Sequence, residues 1–150
     1  MSALNVQRCL GLCALMAVLL AAPGAAQAEP VSVEATLILA SNDPAPQDQR
    51  LDAVEFKLRR MFRFEYYRHF GEGTSVINLP GQASLALGHD NRLEVSASSA
   101  KDDKVRASVQ WFRGADLVLN TTVVTSRAHP VVLGGIAHDG GTLIVTLVFR

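Results

Sequence analysis

Residues 104–125, KVRASVQWFRGADLVLNTTVVT, decide the fold that this sequence predicts. Val105, Ala107, Val109 and Trp111 alternate with polar residues, and a period of two is that of a strand with one buried face. The turn signal RGAD, residues 113–116, follows, and a second β-branched run begins after it. The segment therefore predicts an antiparallel hairpin.

Short strands are predicted on both sides of this hairpin. The runs at residues 31–39, 75–79, 83–87, 92–97, 130–133 and 142–149 are alternating or β-branched. Turn residues and a polar loop at 98–103 separate them, and residues 142–149 are apolar on both faces, which predicts a central strand. The chain is therefore expected to be mainly β, as an antiparallel β-sandwich or a flattened barrel.

One amphipathic helix is predicted after the first strand, over residues 48–62. Asp48 can cap its first turn, because a short carboxylate accepts free backbone N–H groups. Its apolar face consists of Leu51, Val54, Leu58, Met61 and Phe62, at the spacing of one helix face. Residues 63–70 are predicted to leave the helix in extended form, and Gly71 and Gly73 to close the segment. The helix is expected to cover an end or an open face of the β-structure.

The first 28 residues are expected to be a cleaved signal peptide. Leu10–Ala22 is apolar but shorter than a bilayer span, and Ala26-Gln27-Ala28 provides small residues for a signal peptidase. Residues 29–150 would then form a single β-rich domain without a transmembrane segment. The protein is predicted to be exported, either to the periplasm or out of the cell.

Charge and cysteine content exclude several classes of function. The formal net charge is zero, which gives no basis for binding nucleic acid. Both cysteines, Cys9 and Cys13, lie in the predicted leader, so the exported chain would hold no disulfide and no thiolate metal site. No cofactor is predicted.

No catalytic motif is present in the sequence. There is no nucleophile elbow, no phosphate loop and no His-Glu-x-x-His pattern. His89 and His138 each lie in a predicted turn, and two such turns could meet at one end of a sandwich. A metal-dependent hydrolase built on these two residues is the weakest of three hypotheses. No catalytic residue or metal ligand is assigned.

The sharpest candidate for binding is the basic and aromatic stretch at the end of the helix. Residues 48–70 contain six of the nine aromatic residues, interleaved with arginine and lysine. Guanidinium groups beside aromatic rings can hold anions or a partner's carboxylates. The predicted binding residues are Lys57, Arg59, Arg60, Arg63, Tyr66 and Tyr67. The two tyrosines are consecutive, so in a strand they point to opposite faces, and one of them is expected to face solvent.

The stretches RLDAVEFKLRRMFRFEYY, residues 50–67, and VVLGGIAHDGGTLIVTLVF, residues 131–149, resemble small bacterial exported envelope proteins. The resemblance implies an envelope location and one domain, and it implies no activity. The first functional hypothesis is a non-enzymatic interaction or structural module that binds an envelope protein. The alternative is a carrier for a small apolar ligand or a lipid, held between the helix and the sheet. The predicted partner is therefore an envelope protein or an anionic or apolar ligand.

Overall fold

The computed structural model describes residues 28–150, which form two four-stranded antiparallel sheets and one short helix. The elements in chain order are β1 (Glu29–Ser41), a 3-10 turn (Gln49–Leu51), α1 (Asp52–Met61), β2 (Tyr66–Leu79), β3 (Gly81–Gly88), β4 (Asn91–Ala100), β5 (Lys104–Arg113), β6 (Asp116–Ser126), β7 (Val131–His138) and β8 (Gly141–Phe149). Sheet A has the order β2-β1-β8-β7, and sheet B has the order β3-β4-β5-β6. The predicted mainly-β fold, with a sandwich and one helix after the first strand, is confirmed. The predicted signal peptide lies almost wholly outside the described residues.

The main core lies between the two sheets and follows the predicted alternation. On β5, Val105, Ala107, Val109 and Trp111 are all fully buried. The Trp111 indole brings one polar group into this core, and its Nε1 donates a hydrogen bond to Oδ1 of Asn91 at 2.9 Å. That bond satisfies a buried donor that would otherwise cost stability.

The two sheets meet closely where β2 passes β3, and two glycines allow this approach. A Cβ at Gly71 would overlap the carbonyl oxygen of Leu87, and one at Gly73 would lie 2.9 Å from the carbonyl oxygen of Ala86. The prediction that these glycines end the segment is wrong. They lie inside β2, whose backbone continues from Tyr66 to Leu79. Glycine stands at these two positions because the neighbouring strand leaves no room for side chains, not because the strand ends there.

Two other predicted boundaries also differ from the structure. The loop expected at residues 98–103 is shorter, because β4 continues to Ala100 through its pairing with Lys104 on β5. The strand expected at 130–133 continues to His138 as β7. Gly134 and Gly135 have φ of 121° and 109° and form a bulge against β8, so they bend the strand rather than end it. The central position predicted for β8 is confirmed.

Helix α1 lies on the outer face of sheet A and forms a second, smaller core there. Leu51 and Leu58 pack against Ile38 on β1 and Ile144 on β8, and all four side chains are at most 1% exposed. Met61 was predicted on this buried face, and that prediction is wrong. The side chain is 53% exposed, because the helix ends at Met61 and the extended backbone of Phe62 turns the chain toward β2.

Asp48 joins the start of the helical segment to β2. Its Oδ1 accepts the Arg50 backbone N–H at 3.2 Å, so Asp48 caps the 3-10 turn. Contrary to the prediction, it does not cap α1 itself, because α1 begins at Asp52 and its N-cap residue, Leu51, makes no side-chain cap hydrogen bond. Its Oδ2 accepts both the Arg50 guanidinium at 2.7 Å and the backbone N–H of His69 at 3.2 Å. The hydrogen bond from the Arg50 guanidinium holds the pKa of the Asp48 carboxyl well below its usual range.

Candidate functional site

The solvent-facing side of α1 carries exposed apolar and basic side chains next to each other. Phe56 is 73% exposed and Met61 is 53% exposed, the first being the most exposed large apolar residue among those described. The guanidinium carbon of Arg60 lies 5.5 Å from the centre of the Phe56 ring. Lys57 on the helix and Arg63, two residues past the end of the helix, are also exposed. We call these five residues, Phe56, Lys57, Arg60, Met61 and Arg63, the helix patch.

The helical spacing explains why the four members of the patch on α1 form one surface. Phe56 and Arg60 are four residues apart, as are Lys57 and Met61, and side chains at that spacing are neighbours on a helix. Leu58, on the opposite side, is fully buried against sheet A. Burial of that face therefore fixes the direction in which the helix patch points.

Lys57 is the member of the patch that the fold holds in place. Its Nζ donates a hydrogen bond to the carbonyl oxygen of Pro130 at 2.6 Å, across to the connection between β6 and β7. The ammonium group retains two further donors for another partner. The patch is thus a surface of two apolar side chains and three positive charges, suited to an acidic and apolar partner.

Arg59 lies on another side of the helix, in a separate environment. Its Nη2 is 2.6 Å from Oε1 of Glu55, four residues earlier, and its Nε donates to the same oxygen at 2.8 Å. The guanidinium also lies 5.7 Å from the centre of the Tyr67 ring. An incoming anion would have to compete with the Glu55 carboxylate for Arg59.

Tyr66 and Tyr67 occupy opposite faces of β2, as predicted. Tyr67 is 4% exposed, and its hydroxyl donates to the carbonyl oxygens of Phe62 at 3.2 Å and Leu58 at 3.4 Å. Burial raises the pKa of that hydroxyl. Tyr66 is half-buried. Tyr67 therefore holds the end of the helix to the sheet, and Tyr66 is the more accessible of the two rings.

A cleft of about 230 Å³ lies at this junction of helix and strand. Its lining comprises Ala45, Pro46, Gln47, Glu55, Arg59, Glu65, Tyr66 and Tyr67. The six predicted binding residues thus fall into two groups. Lys57, Arg60 and Arg63 belong to the helix patch, and Arg59, Tyr66 and Tyr67 line the cleft. Two carboxylates in the cleft make it a mixed-charge site rather than an anion site.

His89 and His138 do come to the same end of the sandwich, but an aromatic ring lies against both. Phe70 stacks on the His89 ring with 3.9 Å between ring centres, and it meets the His138 ring edge-on at 5.5 Å. Within residues 28–150, no group of three or more histidine, cysteine, aspartate or glutamate side chains is placed to hold a metal ion. His89 and Asp90 have positive φ in the β3–β4 turn, so local backbone geometry accounts for that turn.

The outer face of sheet B contains a polar depression that the sequence analysis missed. It has a volume of about 390 Å³. Its polar lining residues are Gln82, Ser84, Glu94, Ser96, Ser108 and Gln110. The strand register explains the cluster, since Ser84 and Gln110 both lie opposite Glu94, and Ser96 lies opposite Ser108. The polar residues that alternate along β5 were a sign of this cluster in the sequence. The sequence does not show which strands lie beside β5, so the cluster could not be located.

The comparisons with known proteins add no family to this description. No protein-family model matches the chain, and no curated protein or solved structure matches it significantly. Across residues 28–150, no helix has the length and apolar character needed to cross a membrane.

Proposed function

We propose that the protein is an exported, non-enzymatic interaction module of the bacterial envelope that binds a partner protein through the helix patch. The observation that carries this proposal is the exposure of Phe56, 73%, with the Arg60 guanidinium over its ring. Phenylalanine, methionine and arginine are enriched in protein interfaces relative to the rest of the surface. The partner surface would be apolar and acidic, to match the ring and the flanking positive charges.

The rigidity of the underlying layer supports this proposal. Leu51 and Leu58 are buried against Ile38 and Ile144, Lys57 is hydrogen-bonded to Pro130, and Tyr67 binds the last carbonyls of the helix. A surface held from several sides loses little conformational freedom on binding, and that favours affinity.

The test is quantitative capture of partner proteins from an envelope extract of the source cells. Wild-type protein is compared with the double variant Phe56→Ala/Arg60→Glu. The control is Arg106→Glu, which makes the same charge change at an exposed position on the outer face of sheet B. The proposal expects a protein that wild type and the control recover and that the double variant loses. Equal recovery by all three proteins would refute it.

The melting temperature separates loss of binding from loss of folding. Phe56 and Arg60 are exposed, and an exposed cation–π pair contributes about 0.5–1 kcal/mol. The double variant is therefore expected to melt within about 5 °C of wild type.

Export is a separate part of the proposal and has its own test. It is supported by the apolar run and the Ala26-Gln27-Ala28 sequence, after which β1 begins at Glu29. We expect the protein from the extracytoplasmic fraction to begin at Glu29 when its N-terminus is sequenced. An N-terminus at Met1 in that fraction would contradict cleavage.

The carrier alternative stays a prediction with a definite structural requirement. A ligand between helix and sheet would have to displace the contacts of Leu51 and Leu58 with Ile38 and Ile144. Native mass spectrometry of the purified protein distinguishes the two functions. A co-purified lipid that Leu58→Ala alters would favour the carrier, and a mass of protein alone favours the interaction module.

A further inference from the structure

Strand β6 is an edge strand of sheet B, and over residues 119–126 it has neither a charged residue, a proline nor a bulge to protect that edge. It pairs with β5 on one side and ends the sheet on the other. Residues 117–126, LVLNTTVVTS, contain no charged residue and no proline. Exposed edges are usually blunted by lysine, proline, short length or a covering element, because their free N–H and C=O groups can pair with another chain.

The facing edge of sheet A differs from β6 in this respect. Strand β7 spans only Val131–His138 and is bent by the bulge at Gly134 and Gly135. Such a bulge disfavours strand addition. Strand β6 contains a bulge as well, but it lies near one end, at Val118: Trp111 pairs with Leu119 and Phe112 with Leu117. Residues 119–126 continue regularly after it.

The side chains of β6 match one another when the strand is paired with itself. Leu119 and Val123 face the core side and are only half-buried, whereas Leu117 and Val124 face outward and are 49% and 50% exposed. An antiparallel pair centred on Thr121 places Leu119 of one copy opposite Val123 of the other. Because the bulge removes Val118 from the register, Leu117 then lies opposite Val124.

Charge does not oppose pairing of identical strands. Like charges directly opposite each other destabilise a strand pair, and residues 117–126 contribute none. Asp116 begins β6, and Arg127, whose guanidinium contacts Glu29 and Asp103 of its own chain, follows its last residue. An antiparallel pair places these opposite ends near each other, so it brings no like charges together.

We propose that β6 is a self-association edge, at which two copies of this chain pair antiparallel around Thr121 and join their B sheets into one of eight strands. Hydrogen bonds of the backbone hold the pair, as in other cases of strand addition. Standard protein interfaces bury about 800 Å² of surface on each partner, and pairing at a single strand edge buries less. The dimer is therefore reversible and dissociates on dilution. This proposal is independent of the helix patch, which lies on sheet A.

Sedimentation velocity over a range of concentrations tests the proposal. The protein is expressed from its full coding sequence, so that any processing takes place. Wild type is expected to shift from monomer to dimer as its concentration rises. Thr122→Lys places a charge on the exposed face of the edge and is expected to remain monomeric. Ser108→Lys places the same charge directly opposite, on the central strand β5, and is expected to dimerise as wild type does.

Three results would overturn the proposal. One is wild-type protein that stays monomeric throughout the concentration range. Another is a Thr122→Lys variant that is folded and dimerises normally. The third is a wild-type protein that is monomeric and binds a different protein, when Thr122→Lys abolishes that binding. The β6 edge would then pair with another protein and not with a second copy of this chain.

Cysteine pairing gives a second readout that does not depend on the lysine variant. Thr121→Cys is introduced in a chain with Cys9→Ser and Cys13→Ser. Opposed residues in an antiparallel pair have Cα atoms about 4.5–5.5 Å apart, which lies within disulfide range. Oxidation is expected to yield a covalent dimer with Thr121→Cys and none with Ser84→Cys on β3. Equal yields from the two variants would contradict the register.

Discussion

Trp111 and Asn91 form the one hydrogen bond between two side chains that is buried in the sandwich core, among the described residues. The indole Nε1 of Trp111 donates to Oδ1 of Asn91 at 2.9 Å. The amide nitrogen of Asn91 donates in turn to the carbonyl oxygens of His89 at 2.7 Å and Gly88 at 3.3 Å. The same asparagine thus satisfies the core tryptophan and closes the β3–β4 turn, so core packing and turn geometry depend on each other.

Replacing Asn91 by alanine is expected to destabilise the protein by about 1–3 kcal/mol, since the Trp111 donor would remain buried without an acceptor. Urea unfolding measures the change. Asn78→Ala, at an exposed position on β2, is the control and should cost less than about 0.5 kcal/mol. In a Trp111→Phe background the donor is absent, so Asn91→Ala should cost less there. An equal cost in both backgrounds would contradict the role given to this hydrogen bond.

Leu58→Ala and Phe56→Ala are expected to differ sharply although they lie two residues apart on α1. Leu58 is fully buried against sheet A, so its truncation should cost about 2–5 kcal/mol in unfolding free energy. Phe56 is 73% exposed, and its truncation should cost under about 1 kcal/mol. Similar costs for both variants in urea unfolding would show that the helix does not pack on sheet A as described.

Gly71→Ala is expected to destabilise the contact between β2 and β3. The added Cβ would overlap the carbonyl oxygen of Leu87, so one strand must move, at a cost of about 1–3 kcal/mol. Thr74→Ala, at an exposed position on the same strand, should change stability by less than about 0.5 kcal/mol. Thermal unfolding of the two variants measures the difference. A Gly71→Ala variant as stable as wild type would show that the strands are not so close.

Asp48→Asn is expected to make the protein less stable at neutral pH, by an amount that shrinks in acid. The pKa of Asp48 is lowered in the folded state, so the ionised carboxyl contributes its full stability above the unfolded pKa of about 3.9, and this contribution is lost progressively as the pH falls from there toward the lower folded-state pKa. Asparagine keeps one acceptor for the cap but lacks the second oxygen, which accepts the His69 N–H, so the change with pH reports the charge. The difference in unfolding free energy should be constant from pH 7 to about pH 5 and should narrow between about pH 4 and pH 3. A difference that does not change with pH would contradict the assignment.

The sequence predicted the strands whose side chains alternate and failed where a neighbouring strand decides the structure. Alternation located β5 and most of β4, because burial of one face leaves a period of two. It did not show that β2 continues through Gly71 and Gly73, because the reason lies in the backbone of β3. The strand predicted to end at residue 133 continues past the Gly134-Gly135 pair, because the positive φ of these glycines forms a bulge in β7.

The candidate site could be predicted only in part, for a similar reason. The concentration of aromatic and basic residues identified residues 48–70 as the segment that contains the candidate site. The opposite faces of Tyr66 and Tyr67 followed from strand geometry. The separation of Arg59 from Arg60 did not follow, since it depends on Glu55 and Tyr67 holding Arg59 on one side. Phe56, the most exposed apolar residue of the patch, was not singled out, because its exposure depends on how the helix sits on sheet A.

The affinity of a captured envelope protein for wild type and for Phe56→Ala/Arg60→Glu tests the central claim most directly. Isothermal titration at one ionic strength gives both dissociation constants, with Arg106→Glu as the control. Because truncating a hot-spot residue at an interface centre costs about 2 kcal/mol or more, the account predicts that the double variant binds at least about tenfold more weakly. The control should bind as wild type does. Equal affinity for the double variant and wild type would contradict the claim that the helix patch is the binding surface.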